Sequence, residues 1–162
     1  MNILVKHFLR LKRSLQRSWT MLELSLKYGK QFEAKKFHYR TPLHIIIEGK
    51  GELCIGRNCF FNTGCSITVR EKVAIGANCI FGENVKIYDH NHEYRAKDTP
   101  IYKQGFTSEP VVIEEDCWIG SNVVILKGVR IGAHSVIGAG VIVYKEVPAG
   151  SVLVCKQELV LK

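Results

Sequence analysis

Two histidines one residue apart, in Asp89-His90-Asn91-His92, are the first candidates for chemistry. A neutral imidazole can take a proton from a hydroxyl as its oxygen attacks an acyl carbon, then hand that proton to the leaving group. With an ordinary pKa of about 6.5, histidine suits this task and typically contributes ~10²- to 10⁴-fold in rate. Asp89, or a loop carbonyl, would fix the tautomer of His92. The tetrahedral oxyanion needs donors already in place, and a backbone N–H or the Ser121 region would supply them. Six cysteines form the other reactive set. None makes a tight Cys-x-x-Cys pair, and four of them recur in a packing slot, so they are read as packing and no metal is expected.

The elements that must hold these histidines come from a repeat. Apolar residues recur every six positions in three blocks: Ile55, Phe61, Ile67; Ile75, Phe81, Ile87; and Ile113, Ile119, Ile125, Ile131, Ile137, Val143. Two positions before each sits a small or β-branched residue, among them Cys59, Cys65, Cys79, Cys117, Ser135 and Val141. A period of six fits short parallel strands joined by tight turns and stacked coil on coil. Large side chains then fill the centre and small ones the corners. Gly56, Gly76, Gly82, Gly120, Gly132 and Gly138 are expected to supply turn conformations that a Cβ would penalise.

The phase breaks twice. Two extra residues separate Ile67 from Ile75, a minor bulge, and a long excursion separates Ile87 from Ile113. The excursion carries His90, His92, Tyr94, Tyr102 and Pro110, and a long loop interrupting a regular scaffold is where function usually sits.

Composition bounds the rest. At 162 residues and 46% hydrophobic content, one domain with an appendage is expected. The net charge of +8 is uneven: residues 1–40 hold ten Lys/Arg against Glu23 and Glu33. Leu4, Phe8, Leu11, Leu15, Trp19, Leu22 and Leu26 alternate by threes and fours there, which predicts an amphipathic helix or helical pair broken near Gly29. The preferred reading makes it a lid on the open end of the solenoid. The alternative, through residues 1–30, is a peripheral contact with the inner face of an anionic membrane. Lys12, Arg13 and Arg17 interrupt any secretory signal, and no run is long enough to span a bilayer, so a reduced, cytoplasmic setting is expected.

From Gly51 to Pro148 the sequence resembles the left-handed β-helix (hexapeptide-repeat) acyltransferases, closest to the galactoside, maltose and capsular-polysaccharide O-acetyltransferases. The resemblance implies a mainly β fold, a left-handed parallel β-helix, and a homotrimer with its active site at each subunit interface; the apolar stripe above adds the N-terminal helical segment. Its expected divisions are 1–40, a basic helical segment; 41–148, the β-helix with a loop insertion at 88–110; and 149–162, a C-terminal cap. It further implies acetyl-CoA as co-substrate and a sugar or surface-polysaccharide precursor as acceptor. The segment Asn84-Val85-Lys86-Ile87-Tyr88-Asp89-His90-Asn91-His92 puts the family's catalytic histidine on His92, and Asn58-Cys59-Phe60-Phe61-Asn62 puts its acceptor-positioning asparagine on Asn62. Cys117-Trp118-Ile119-Gly120-Ser121 and Ile137-Gly138-Ala139-Gly140 match the pantetheine channel, so Trp118, Ser121, Ala139 and Lys145 carry over for CoA. Trp118 also reads as an interface hydrophobe, and Asn62 as a turn residue. Two departures stand out: Tyr144 replaces a common Thr, and Cys155-Lys156-Gln157 replaces a Gly-x-Pro turn.

Rival readings differ in class. A three-histidine zinc enzyme of the γ-carbonic anhydrase kind does not fit the spacing of His90, His92 and His134. His134 falls in a hexad turn and is read as exposed and structural. The remaining alternatives are an N-acetyltransferase acting on an amino sugar and a non-enzymatic trimeric scaffold. Nucleic-acid binding is not expected, because the excess of basic residues is confined to the first 40 positions.

Overall fold

In the computed structural model, residues 3–156 are described. The chain opens with one helix, α1 (Ile3–Tyr28), and then winds into a solenoid of about five coils whose strands pair in parallel. Three sheets form its faces. The first holds Phe32–Ala34, Glu52–Ile55, Lys72–Ile75, Val111–Ile113 and Arg130–Ile131. The second holds His38–Tyr39, Phe60–Phe61, Ile80–Phe81, Trp118–Ile119, Val136–Ile137 and Val152–Leu153. The third holds Leu43–Ile47, Cys65–Val69, Lys86–Tyr88, Val124–Ile125 and Ile142–Val143.

Register follows the hexads. Ile55, Ile75, Ile113 and Ile131 stack in line on the first face, and Phe61, Phe81, Ile119 and Ile137 on the second. All are buried, and the Phe61 and Phe81 rings stack at 4.4 Å. Backbone hydrogen bonds join each coil to the next along strands and corners, and this continuous apolar column adds the burial that holds the stack together.

The first coil begins at Phe32, inside the segment assigned by sequence to the basic helical region. Phe32 pairs with Leu53, Tyr39 with Phe61 and Ile45 with Ile67. Ala34 occupies the slot that Ile55 fills one coil on, and it stands five residues before Tyr39 where Ile55 stands six before Phe61, so the hexad pattern does not show there.

The hexad glycines play a different part from the one expected. Positive φ values fall on Asn58, Asn78, Asn84, Asp116, Asn122 and His134 instead. Asparagine and aspartate tolerate that region because their short side chains bond locally. Gly120 is needed for close approach: a Cβ there would lie 2.6 Å from the backbone nitrogen of Ala139 in the next coil.

The sequence expectation of a lid is met by a different set of residues. Met21, Leu24 and Tyr28 pack on the first coil, and the Tyr28 hydroxyl donates to the Ile45 carbonyl at 3.3 Å. The stripe from Leu4 to Leu26 stays exposed. The break near Gly29 is present: Gly29 has φ +53 and starts a single 3-10 turn. No described helix is long and apolar enough to cross a membrane. Of the segment 149–162, residues 157–162 lie outside the described residues, including Gln157 of the altered turn.

Candidate active site

The long excursion leaves the solenoid after Tyr88, at the corner between the third and first faces. It begins as a two-stranded antiparallel ribbon, His90–His92 against Phe106–Ser108. Alternation along a strand puts His90 and His92 on one side of the ribbon, and both rings meet Phe106, at 5.5 and 4.3 Å. His92 is exposed, whereas the His90 side chain is only 13% accessible. The Arg70 guanidinium lies over the Phe106 ring, 3.3 Å from its centre, and is ion-paired with Glu48 at 2.5 Å.

Asp89 anchors this ribbon. Thr68 pairs with Tyr88, so the next inward position, Val69 in the coil before, is occupied here by a fully buried carboxylate. A buried carboxylate is tolerable only if donors surround it. The backbone N–H groups of Arg70, Glu71 and Lys72 all donate to Asp89, at 2.8 to 3.0 Å. The two-residue slip between Ile67 and Ile75 therefore forms a nest for this carboxylate, which is more than the minor bulge expected.

The fourth contact of Asp89 is the His90 Nδ1, at 2.9 Å from Oδ1. An oxygen already serving backbone donors is an acceptor, so Nδ1 carries the hydrogen and Nε2 of the neutral ring keeps its lone pair. The tautomer fixed by Asp89 is thus that of His90, where sequence had it acting on His92. Beyond the ribbon, Gln104 braces the loop, accepting from the Ala96 N–H and donating to the Ala96 and Thr99 carbonyls.

The other predicted site residues fall elsewhere. Asn62 lies at the corner between the second and third faces, where its Oδ1 accepts from the Thr63 N–H at 2.9 Å and from Arg40 at 3.4 Å. Its Nδ2 reaches Glu83 at 3.5 Å. Ser121 and Ala139 occupy the same corner two and three coils later: the Ser121 Oγ accepts from the Glu83 N–H, and the Gly140 N–H donates to the Ser121 carbonyl. Trp118 is on the second face just before that corner, in line with Ile80 and Val136, and is 54% exposed. Lys145 follows the third face, at the same corner as the histidines, and lies over the Tyr144 ring.

A single chain therefore brings Asn62, Ser121, Ala139 and Trp118 near one edge and the histidines and Lys145 to another, with the third face between them. Within one chain these groups do not converge.

The remaining titratable candidates are structural. His134 is exposed, and its Nδ1 meets Asp116 at 2.9 Å; that hydrogen bond raises its pKa. Cys59, Cys65, Cys79 and Cys117 are buried in corner slots with their thiols directed at carbonyls, such as Cys65 to Gly82 at 3.2 Å. Burial pushes the Cys65 thiol up, away from the thiolate that a reactive cysteine or a metal ligand requires. Among the described residues no cluster of three or more His, Cys, Asp or Glu is placed to hold a metal ion.

Residues 110–145 match the hexapeptide repeat of succinyl-transferase. A galactoside O-acetyltransferase of Escherichia coli is 41% identical over 116 residues, covering 69% of this chain and 49% of the relative. A tetrahydropyridine-dicarboxylate N-acetyltransferase of Staphylococcus aureus is 46% identical over 56 residues, covering 35% of this chain and 23% of the relative. Among solved structures, a hexapeptide-repeat acetyltransferase of Vibrio cholerae, complexed with acetyl coenzyme A, aligns with a TM-score of 0.69 at 27% identity. That alignment covers 85% of this chain and 73% of the other. The chain spans about half the length of the curated relatives it matches.

Proposed function

The chain belongs to the hexapeptide-repeat acetyltransferase family, and we propose that it moves an acetyl group from acetyl-CoA to a hydroxyl of a sugar or surface-polysaccharide precursor. The observation that carries this reading is the histidine ribbon, held by a buried carboxylate at the one long interruption of a regular solenoid. The exposed His92 removes the acceptor proton as the oxygen attacks the thioester carbon. It then returns the proton to the departing CoA thiolate, so no covalent enzyme intermediate is needed.

Asn62 orients the acceptor hydroxyl. Trp118, Ser121, Ala139 and Lys145 line the CoA site, and backbone N–H groups at the Ser121 corner meet the oxyanion. Because Asn62, Trp118, Ser121 and Ala139 lie on a different corner from the histidines and Lys145, the site is completed between subunits of a homotrimer. An apolar ladder on the second face supports that assembly: Phe60, Ile80, Trp118, Val136 and Val152 align across successive coils, with Trp118 and Val152 54% and 71% exposed. We place the reaction in the cytoplasm, in keeping with six free cysteines.

One observation favours a second assignment of the base. Asp89 orients His90, which leaves His90 with the held tautomer that an orienting carboxylate usually gives a catalytic base. Acceptor-dependent CoA release separates the two: His92→Ala lowers kcat by ~10²-fold or more while His90→Ala acts mainly through stability, and the reverse pattern moves the base to His90. A primary amine acceptor remains the alternative nucleophile, supported by the similarity to an N-acetyltransferase. A trimeric scaffold without catalysis predicts no CoA release with any acceptor.

A further inference from the structure

Helix α1 carries an apolar stripe that its own chain does not cover. Phe8, Leu11, Leu15, Trp19, Leu22 and Leu26 are each more than half exposed, and Trp19 is 71% exposed. At 3.6 residues per turn, the positions of these residues span an arc of about 80°. Met21, Leu24 and Tyr28, which pack on the first coil, lie on the other side of the helix. The stripe therefore faces away from the solenoid, and α1 is placed as a layer between the body and whatever the stripe meets.

Charge selects the occupant. The 26 residues of α1 include six Lys/Arg and a single acid, Glu23. At about 100° per residue, positions 6, 10, 13 and 17 fall on the side opposite the stripe and only Lys12, Glu23 and Lys27 lie beside it, so the helix has the apolar face and basic polar face of an interfacial helix rather than the complementary charged flanks that specify a helix seam. Nucleic acid would match the charge but not a stripe of Leu, Phe and Trp. A surface that is apolar below and anionic above satisfies both features: the aromatic and aliphatic side chains enter the acyl boundary and the basic residues meet headgroup phosphates.

We propose that α1 docks the protein on an anionic lipid bilayer, with its apolar stripe in the interface and the solenoid standing on the opposite side of the helix. The contact is peripheral, and it holds the acetyl-transfer site at the surface where lipid-linked acceptors would be presented. It does not depend on the transferase reading. In an oligomer several helices would dock together, which multiplies a weak single contact.

The test is co-sedimentation of the full chain with vesicles of phosphatidylcholine, with and without phosphatidylglycerol, using the wild type and a Leu15→Glu/Trp19→Glu variant. The expected result is pelleting with the anionic vesicles alone, weakened by added salt and reduced at least tenfold in the variant. Unchanged pelleting of the variant, or none of the wild type, overturns the proposal. So does light scattering in which the wild type has a larger mass than the variant, since the stripe would then be buried between copies. Far-UV circular dichroism confirms that the variant is folded, and calorimetric titration of acetyl-CoA into the same samples reports separately on the transferase reading, which keeps the two failures distinct.

Discussion

A carboxylate with no solvent exposure must find its donors in the protein, and Asp89 takes three from the Arg70–Lys72 turn and a fourth from His90. Replacing it strands three part-buried backbone N–H groups, and an unmet donor costs up to ~1–3 kcal/mol. Asp89→Ala is therefore expected to destabilise the fold by about 3 kcal/mol or more, read as a lower urea midpoint, and to release the histidine ribbon so that turnover falls as well. At His134 the expectation concerns pH. The hydrogen bond to Asp116 raises its folded pKa above the unfolded value, so the pair's contribution is complete below about pH 6.5 and fades as pH rises through the folded pKa. NMR titration of His134 should give a midpoint above the ordinary one, returning toward it in Asp116→Asn.

At the scale of the coil, glycine and asparagine divide the corner work. Gly120 permits a neighbouring backbone to approach, and Gly140 permits a φ of +73 with nothing within 4 Å of a built Cβ. Gly120→Ala should cost about 1–3 kcal/mol by overpacking, while Gly140→Asn should be nearly neutral, since asparagine adopts that φ elsewhere in this solenoid. Equal losses in denaturant midpoint would contradict this division. The coils from Ile55 to Val143 were legible because the hexad slots are apolar and evenly spaced within each of three blocks. The coil beginning at Phe32 was not, because Ala34 stands where a large aliphatic marks the others. The nest under Asp89 left a trace in the sequence, a phase slip at Arg70–Glu71 and a carboxylate two residues after Ile87. The meaning of that trace depends on pairing between coils, which local pattern does not encode. The roles of Arg70 and Phe106 arise from the same kind of long-range contact, and that of Gln104 from hydrogen bonds closed within the loop.

For the whole molecule, the separation of Asn62, Trp118, Ser121 and Ala139 from the histidines and Lys145 makes assembly part of the account. A monomer offers Trp118 and Ile80 to solvent, 54% and 45% exposed, within a continuous apolar ladder. Trp118→Asp is expected to shift the mass from trimer toward monomer in light scattering, with loss of CoA binding; a trimer of unchanged stability would separate Trp118 from the interface. The most direct measurement is the release of free CoA from acetyl-CoA by purified protein, with and without a panel of hydroxylated sugars and amino sugars. The account predicts release that rises with a sugar hydroxyl acceptor and falls by ~10²-fold or more in His92→Ala. A folded trimer that releases no CoA with any acceptor, or a His92→Ala protein with wild-type turnover, would contradict it.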